Sequence, residues 1–263
     1  MEMGLRGRGA LVGGASRGLG RACAEELAAL GCRLVLWARG AEALKAAADD
    51  LRERYDAEVH TAAADAADPD APASLVHQAQ QALGRVDILV LNQGGPPPVD
   101  PMATDPEGWR VAFQSLAVTP IAIATAVLPA MREQRWGRIV AILSSTIRQP
   151  IPNLVYSTGG RLALAGWMKT AAVAAAKDGV TINGVLPGRL DTERVAELDA
   201  RRAQADRRTA EEVRAASEAS IPVGRYGRPE ELASVVAFLC SDRAGYVTGA
   251  FVPVDGGLLQ TLL

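Results

Sequence analysis

Aromatic, cysteine and histidine residues are all scarce in this sequence. Only 4% of its 263 residues are aromatic, whereas 49% are hydrophobic, so the core must be packed largely from aliphatic side chains. The three cysteines, Cys23, Cys32 and Cys240, are scattered in apolar surroundings, which favours buried thiols in a reducing cytoplasm over a disulfide framework. His60 and His77 fall in a predicted strand and a predicted surface helix, and no group of cysteines and histidines has metal-site spacing. We therefore expect neither a disulfide nor a metal site.

An excess of charge of either sign is also lacking. The 28 basic and 30 acidic residues leave a net charge of −2, which provides neither a basic surface for nucleic acid nor an acidic tail. The N-terminus has no charged-then-apolar signal pattern, and no apolar run approaches the roughly 18 residues that span a bilayer. We expect a soluble cytoplasmic protein with neither nucleic acid nor membrane as its partner.

A glycine-rich stretch stands between a short apolar run and a helix-periodic segment. The run Ala10–Val12 leads into Gly13–Gly20, and the apolar residues that follow include Leu19, Cys23, Leu27 and Leu30. Glycine tolerates positive φ and lets bare backbone approach a ligand, while the N-terminus of the following helix directs N–H groups and a positive dipole end at phosphate. This pattern predicts a site for the pyrophosphate of a dinucleotide.

The glycine spacing resembles that of a known enzyme family. Gly14, Gly18 and Gly20 follow the motif of the short-chain dehydrogenase/reductase family, with Gly13 where that family usually has threonine. Further segments resemble the family's turn after the fourth strand, its turn beneath the nicotinamide, and its terminal strand and turn: Asn92–Gly95, Asn183–Gly188 and Tyr246–Gly257. At the first of these, Leu91 and Gln93 depart from the family's Asn-Asn-Ala-Gly pattern. The resemblance covers the chain from about Arg6 to Gly257.

Apolar strands alternate with helical segments along the whole chain. The predicted strands are Ala10–Val12, Arg33–Trp37, Glu58–Ala63, Val86–Leu91, Gly137–Leu143, Val180–Leu186 and a terminal strand between Tyr246 and Val254. The predicted helices are about Leu19–Leu30, Ala41–Tyr55, Ala71–Leu83, Pro106–Met131, Leu154–Ala176 and Pro229–Cys240. Such alternation calls for a parallel sheet with helices on both faces. The resemblance implies a Rossmann-type doubly wound α/β fold, with about seven strands in a three-layer α/β/α arrangement.

We expect one domain over residues 1–263. From Glu193 to Ser220 the composition changes to Arg, Ala and Glu with few large apolar residues, which suits a helical lid over a substrate, at about residues 193–220. A solvated pair of helices without a gating role is the alternative. Pro120, inside the long predicted helix, removes one backbone hydrogen bond and should bend it.

The residues around the predicted dinucleotide favour NADP(H) over NAD(H). Ala38 stands at the end of the second strand, where an aspartate would bind the 2′-hydroxyl of NAD. Arg39 follows it and Arg17 lies in the glycine turn, so two guanidinium groups can bind the 2′-phosphate; two solvated surface arginines are the alternative. The cofactor-binding residues that the resemblance implies are Gly14, Ser16, Arg17, Gly18, Leu19, Gly20, Arg39, Asp65, Asn92, Gly94, Arg161, Pro187, Gly188 and Thr192.

The family's catalytic residues are a serine after the fifth strand, a tyrosine, and a lysine four residues after that tyrosine. A phenol of pKa about 10 needs a nearby ammonium to favour its phenolate, so the lysine must lie one helical turn away. Aligning Gly137–Val140 with the family strand places the serine at Ser144, the tyrosine position at Ser157 and the lysine position at Arg161. This chain is thus identified as an atypical member that has Ser, Ser and Arg.

Tyr156 lies next to the tyrosine position. On a helix Ser157 and Arg161 are about 40° apart, whereas Tyr156 and Arg161 are about 140° apart. Tyr156 can therefore replace the missing phenol only if the helix begins after it and leaves its backbone free to turn the ring inward. The family also commonly has an asparagine on the preceding long helix to relay protons, and that position falls on Leu116, which cannot.

These residues leave three functions open. The first is an NADP(H)-dependent oxidoreductase that transfers a hydride to or from a small carbonyl or alcohol, with Ser144, Tyr156, Ser157 and Arg161 as the catalytic set. The second is a non-catalytic nucleotide-binding or regulatory protein, and the third is a non-redox lyase or dehalogenase on the same scaffold. The family is commonly tetrameric, so we expect a homotetramer or homodimer. Arg148, Gln149 and Arg189, near the predicted pocket mouth, can favour an anionic substrate.

Overall fold

A seven-stranded parallel sheet forms the centre of the structure, a computed structural model that describes residues 2–261. Its spatial order is β3-β2-β1-β4-β5-β6-β7, and every neighbouring pair is parallel. The strands are β1 Gly9–Gly13, β2 Arg33–Ala38, β3 Val59–Ala63, β4 Ile88–Leu91, β5 Gly137–Ile142, β6 Val180–Pro187 and β7 Phe251–Val254. The predicted doubly wound α/β sheet is confirmed, because the strand order reverses between β1 and β4.

Helices cover both faces of the sheet. They are α1 Gly18–Ala29, α2 Ala41–Tyr55, α3 Ala71–Leu83, α4 Pro106–Phe113, α5 Thr119–Glu133, α6 Val155–Ala175, α7 Glu193–Asp206, α8 Ala210–Ala219 and α9 Pro229–Cys240. Short 3₁₀ turns occur at Pro101–Ala103, Ser145–Ile147, Ala176–Asp178 and Asp242–Ala244. Residues 193–220, for which a partly helical composition was expected, contain the two helices α7 and α8.

Two aliphatic cores lie on opposite faces of the sheet. One joins α1, α2 and α9 to the strands through residues such as Leu27, Leu44 and Val236, and the other joins α3, α5 and α6 through residues such as Ile123 and Leu164. Strands buried on both faces read as continuous apolar runs, as β1, β4 and the Ile139–Ile142 part of β5 do. This is the three-layer arrangement that the sequence predicts.

The three cysteines are buried and unbridged, as predicted. Burial raises the pKa of the Cys32 thiol to about 12, and it also raises the pKa of Cys23 and Cys240. Such thiols are poorly reactive because the thiolate is the nucleophilic form. Among residues 2–261 no group of three or more His, Cys, Asp or Glu side chains is arranged to hold a metal ion.

The long helical segment Pro106–Glu133 differs from its prediction in two ways. A π-helical turn, Gln114–Val118, separates α4 from α5. Pro120, the second residue of α5, lacks the N–H that would bond to the Leu116 carbonyl. By length and composition this 28-residue segment could also cross a membrane, since an 18-residue window within it has a mean hydropathy of 1.9, contrary to the expectation that no apolar run is long enough. The core helix of a soluble protein passes the same test, and α5 packs against α3, α6 and β5.

The terminal strand lies in the predicted region between Tyr246 and Val254. β7 begins at Phe251, whereas Tyr246 is fully exposed in the preceding loop. The Asn183 side chain fixes this loop by donating from Nδ2 to the Val247 carbonyl at 2.8 Å and accepting from the Ala250 N–H at 3.1 Å. These side-chain bonds hold the loop that leads into β7 against β6.

Candidate active site

The glycine turn between β1 and α1 has the conformation that only glycine adopts readily. Gly14 and Gly18 both have φ of +57°, and a Cβ atom on Gly20 would lie 2.4 Å from the carbonyl oxygens of Gly13 and Gly14. The N-cap residue of α1, Arg17, makes no side-chain capping hydrogen bond. The first N–H groups of α1 are therefore left to a ligand or to water.

Asn92, at the end of β4, supports the glycine turn from the neighbouring strand. Its Nδ2 donates to the Gly13 carbonyl at 3.3 Å, and a Cβ on Gly14 would lie 2.6 Å from the same nitrogen. Asn92 thus contacts the turn itself, because β1 and β4 are adjacent in the sheet. The predicted residues Gly14 and Asn92 are brought together.

Two exposed arginines lie in the segments that lead from β1 into α1 and from β2 into α2. Arg39 follows β2 and is exposed, and Arg17 is exposed within the glycine turn. Arg17 is paired with a residue of α7, since its Nη1 lies 2.7 Å from Glu193 Oε2. No local sequence pattern predicts this pairing, because the two residues are 176 positions apart.

The remaining predicted coenzyme residues lie along the carboxyl edge of the sheet. Asp65, after β3, is exposed and its carboxylate accepts from the Ala67 N–H at 3.0 Å. Gly188 follows β6, and Thr192 caps α7 by accepting from the Val195 N–H at 3.3 Å. The others in this group are Ser16 and Leu19, both half-buried in the first turn, Gly94, exposed after β4, and Pro187, half-buried at the end of β6.

Ser157 and Arg161 face each other on α6, as the helical spacing predicts. Both are buried, and Arg161 Nε donates to Ser157 Oγ at 3.3 Å. The other arms of the guanidinium donate to the Ile142 carbonyl at 2.8 Å and the Gln93 carbonyl at 3.1 Å. Burial lowers the pKa of Arg161 to about 10, so it remains a cation at neutral pH. Arg161 ties α6 to the ends of β4 and β5.

Tyr156 adjoins Ser157 on α6, but the condition under which it could replace the missing phenol is not met. α6 begins at Val155, so Tyr156 is already helical and its backbone is not free to turn the ring inward. Its hydroxyl accepts from the Asp105 N–H at 2.9 Å and donates to the Asp105 carbonyl at 3.3 Å. The ring packs edge-on against Trp109, with a centroid distance of 4.9 Å. Tyr156 therefore anchors the start of α4.

Ser144 lies directly after β5 and begins a 3₁₀ turn. Its Oγ accepts from the Thr146 N–H at 3.2 Å and from Thr146 Oγ1 at 3.0 Å. The turn Ser145–Ile147 packs against α6. Because its oxygen accepts from Thr146, the Ser144 hydroxyl keeps its proton for donation.

Gln93 is a residue that the predicted site omitted. Its side chain is 7% exposed, and in the described part of the chain its Nε2 has no hydrogen-bond partner. Its backbone carbonyl accepts from Arg161, so it lies beside the Ser157–Arg161 pair. The departure from the family turn at this position was the available signal. Leu116, in the π-helical turn, is buried against Gly160 of α6.

The arginines expected to attract an anionic substrate are bound elsewhere. Arg148 Nη2 donates to the Phe251 carbonyl at 3.0 Å. Arg189 Nη1 donates to the buried Asp199 carboxylate at 2.5 Å, and Tyr226 donates to its other oxygen at 2.7 Å. Both guanidinium groups thus hold the structure around the site, and the prediction that they favour an anionic substrate receives no support from their contacts.

The fold and the glycine turn define a dinucleotide-binding α/β protein. Residues 14–259 match the family described as enoyl-(acyl carrier protein) reductase. The chain belongs to the short-chain dehydrogenase/reductase family of oxidoreductases.

Individual proteins are similar to this chain over nearly its whole length. It is 31% identical to 3-oxoacyl-(acyl-carrier-protein) reductase of Aquifex aeolicus, over 98% of this chain and 100% of that protein. It is 34% identical to the Escherichia coli enzyme of the same name, over 97% and 99%. The crystal structure of L-sorbose reductase from Gluconobacter frateurii, complexed with NADPH and L-sorbose, is similar with a TM-score of 0.95, 31% identity and 100% coverage of both chains.

Proposed function

We propose that this chain is an NADP(H)-dependent reductase of small carbonyl compounds, in which Ser157 and Arg161 occupy the positions of the family's tyrosine and lysine. The reductase names of its relatives and the NADPH in the L-sorbose reductase structure support the reaction class. The observation that carries the proposal is the Arg161 Nε to Ser157 Oγ hydrogen bond on the buried face of α6.

The glycine turn fits the coenzyme. A Cβ on Gly18 would find only Thr192 Cγ2 within 4 Å, at 3.9 Å, so the space above the turn is open. The uncapped N-terminus of α1 suits a pyrophosphate, and Arg17 and Arg39 suit the 2′-phosphate. When bound, NADPH supplies the hydride for carbonyl reduction.

Ser157 and Ser144 are the proposed hydrogen-bond donors to the substrate oxygen. Arg161 Nε donates to Ser157 Oγ, so the hydroxyl proton of Ser157 is free to point toward a substrate, and the nearby cation stabilises the alkoxide that proton transfer leaves. Ser144 holds the oxygen from the end of β5. The unpaired Gln93 amide is a further donor beside them. Tyr156 is not in the proposed set because its hydroxyl is bound to Asp105.

We also propose that residues 1–263 form one domain in which α7 and α8 are a lid. α7 contacts the loop after β4, since Arg194 Nη2 donates to the Pro96 carbonyl at 3.3 Å. Arg214 of α8 binds both oxygens of Asp191, at 3.1 and 3.0 Å, which holds α8 to the segment leading into α7. Such side-chain bonds at an exposed surface are readily broken and remade, as a lid requires.

A homotetramer in the cytoplasm is proposed as the working form. Exposed apolar side chains on α4, on the π-helical turn and on α6 support self-association: Val111, Phe113, Val118, Leu162 and Val173. The three unbridged cysteines support a reducing compartment.

A second candidate is a non-catalytic NADP(H)-binding protein. It is favoured by the bonds from Arg161 to the Ile142 and Gln93 carbonyls, which give the guanidinium a structural role. The buried Leu116 likewise offers no polar group at the π-helical turn.

Coenzyme binding and turnover measured together distinguish the two candidates. NADPH binding is followed by the fluorescence of the reduced nicotinamide, and turnover by loss of its absorbance with L-sorbose, simple ketones and β-keto esters. The proposal predicts binding by wild type and by Ser157→Ala, with turnover in wild type only. Binding without turnover on every substrate would favour the second candidate, and absence of binding would contradict both.

A further inference from the structure

One ion pair joins the glycine turn to the start of the proposed lid. Arg17 Nη1 and Glu193 Oε2 are 2.7 Å apart, and the two side chains are 68% and 69% exposed. Arg17 directly precedes α1, and Glu193 is the first residue of α7. The pair therefore connects the segment proposed to bind phosphate with the segment proposed to cover the substrate.

The start of α7 lies against the glycine turn. The atom nearest to a Cβ on Gly18 is Cγ2 of Thr192, the residue before Glu193, at 3.9 Å. The N-terminal position of Glu193 favours its charge, because the helix dipole is positive there. The next carboxylate along α7, Glu197, is instead 3.5 Å from Arg194 on the same helix. Glu193 is thus positioned to act on Arg17, and Glu197 is not.

We infer that Glu193 is a specificity-determining residue that competes with the coenzyme's 2′-phosphate for Arg17, so that NADP(H), but not NAD(H), releases the first turn of α7 from the glycine turn. The inference rests on the proposed NADP(H) function.

The exchange is favourable on general grounds. A phosphate monoester carries about −1.5 to −2 charges at neutral pH and offers three acceptor oxygens, whereas the Glu193 carboxylate carries one charge. An exposed ion pair contributes little to stability because water and salt screen it, so breaking it costs little. NAD(H) has a 2′-hydroxyl in place of the phosphate and leaves the pair intact.

A double-mutant cycle tests the competition. Dissociation constants for NADPH and NADH are measured on wild type, Glu193→Gln, Arg17→Gln and the double variant, with Glu197→Gln as the matched control. Removing the competitor should tighten NADPH binding about two- to fivefold and leave NADH binding unchanged. The gain should disappear in the Arg17→Gln background, and Glu197→Gln should bind both coenzymes as wild type does. Equal tightening for both coenzymes, or a gain that persists without Arg17, would overturn the inference.

Hydrogen exchange of the first turn of α7 gives a readout independent of turnover. In the coenzyme-free protein, Glu193→Gln and Arg17→Gln should both speed exchange there, and Glu197→Gln should not. In wild type, saturating NADPH should speed exchange and saturating NADH should not. A wild type that binds NADPH without this difference overturns the inference alone, whereas a wild type that binds neither coenzyme overturns the proposed function together with it.

Discussion

Ser157 and Arg161 lie one turn apart on α6, and the Arg161 guanidinium donates to the Ser157 hydroxyl oxygen at 3.3 Å. The same guanidinium donates to carbonyls at the ends of β4 and β5, and no carboxylate is among these three partners. A planar fork with several donors can satisfy such separated acceptors, whereas an ammonium is a compact point charge. Arg161 therefore has a structural role and, in the proposed reaction, a positioning role toward Ser157.

The Arg161→Lys variant should be clearly less stable than wild type. Lysine keeps the charge but cannot reach Ile142, Gln93 and Ser157 together, which leaves buried carbonyls without donors. We expect the free energy of unfolding to fall by about 2–4 kcal/mol, as measured by urea denaturation. The control is Arg110→Lys, at an exposed site paired with Glu107 at 3.2 Å, which should change it by less than about 0.5 kcal/mol. Equal midpoints for the two variants would contradict the bridging role.

Tyr156→Phe should affect stability and spare catalysis. The substitution removes the hydroxyl that accepts a hydrogen bond from the Asp105 N–H, so we expect the free energy of unfolding to fall by about 1 kcal/mol. Turnover of the best ketone substrate should stay within about twofold, because the hydroxyl points to α4. Tyr246→Phe, at a fully exposed tyrosine, is the control for the substitution itself. A large drop in kcat with unchanged stability would return Tyr156 to the catalytic set.

Gly18→Ala should weaken coenzyme binding. Alanine at φ of +57° costs about 1–2 kcal/mol, and its methyl group points into the open space proposed for phosphate. We expect the dissociation constant for NADPH to rise about tenfold or more. The matched control is Gly84→Ala at the end of α3, where φ is +74° and a Cβ meets nothing within 4 Å, so it should carry a similar backbone cost and leave NADPH affinity unchanged. Unchanged NADPH affinity in Gly18→Ala would place the phosphate elsewhere.

Glu231 should contribute to acid sensitivity. Hydrogen bonds from Arg225 and from the Arg228 N–H lower its pKa from 4.5 to about 2. Because the folded state has the lower pKa, the stabilisation is present above about pH 4.5 and is lost as the pH falls toward 2. The Glu231→Gln variant should therefore have a lower free energy of unfolding than wild type at neutral pH. Its free energy of unfolding should also fall less than that of wild type between pH 4.5 and pH 2, as measured by urea denaturation at several pH values in that range. The control is Glu230→Gln, at the residue next to Glu231 in the first turn of α9, whose stability should change with pH as that of wild type does.

Local patterns in the sequence predict the fold and the glycine turn well. The strand, the glycine turn and helix α1 are consecutive in the chain, and the order of the elements determines a parallel sheet. The facing of Ser157 and Arg161 also follows from helical spacing alone, and the structure confirms it.

What the sequence did not predict depends on contacts between distant segments. The Arg17–Glu193 pair joins residues 176 positions apart, and Tyr156 turns toward Asp105 because α6 begins one residue before it. The π-helical turn at Gln114–Val118 replaces the simple bend expected at Pro120, since a missing N–H can be accommodated by either. Arg189 likewise binds Asp199, a partner on a helix that periodicity alone cannot orient.

The origin of the transferred proton is tested most directly by single-turnover oxidation of NADPH in wild type, Ser157→Ala and Tyr156→Phe with one shared ketone substrate. Loss of a positioned proton donor should slow the Ser157→Ala reaction by about 10²-fold or more at saturating coenzyme, with NADPH affinity retained and Tyr156→Phe close to wild type. The opposite order of rates, with Ser157→Ala fully active and Tyr156→Phe inactive, would contradict the account.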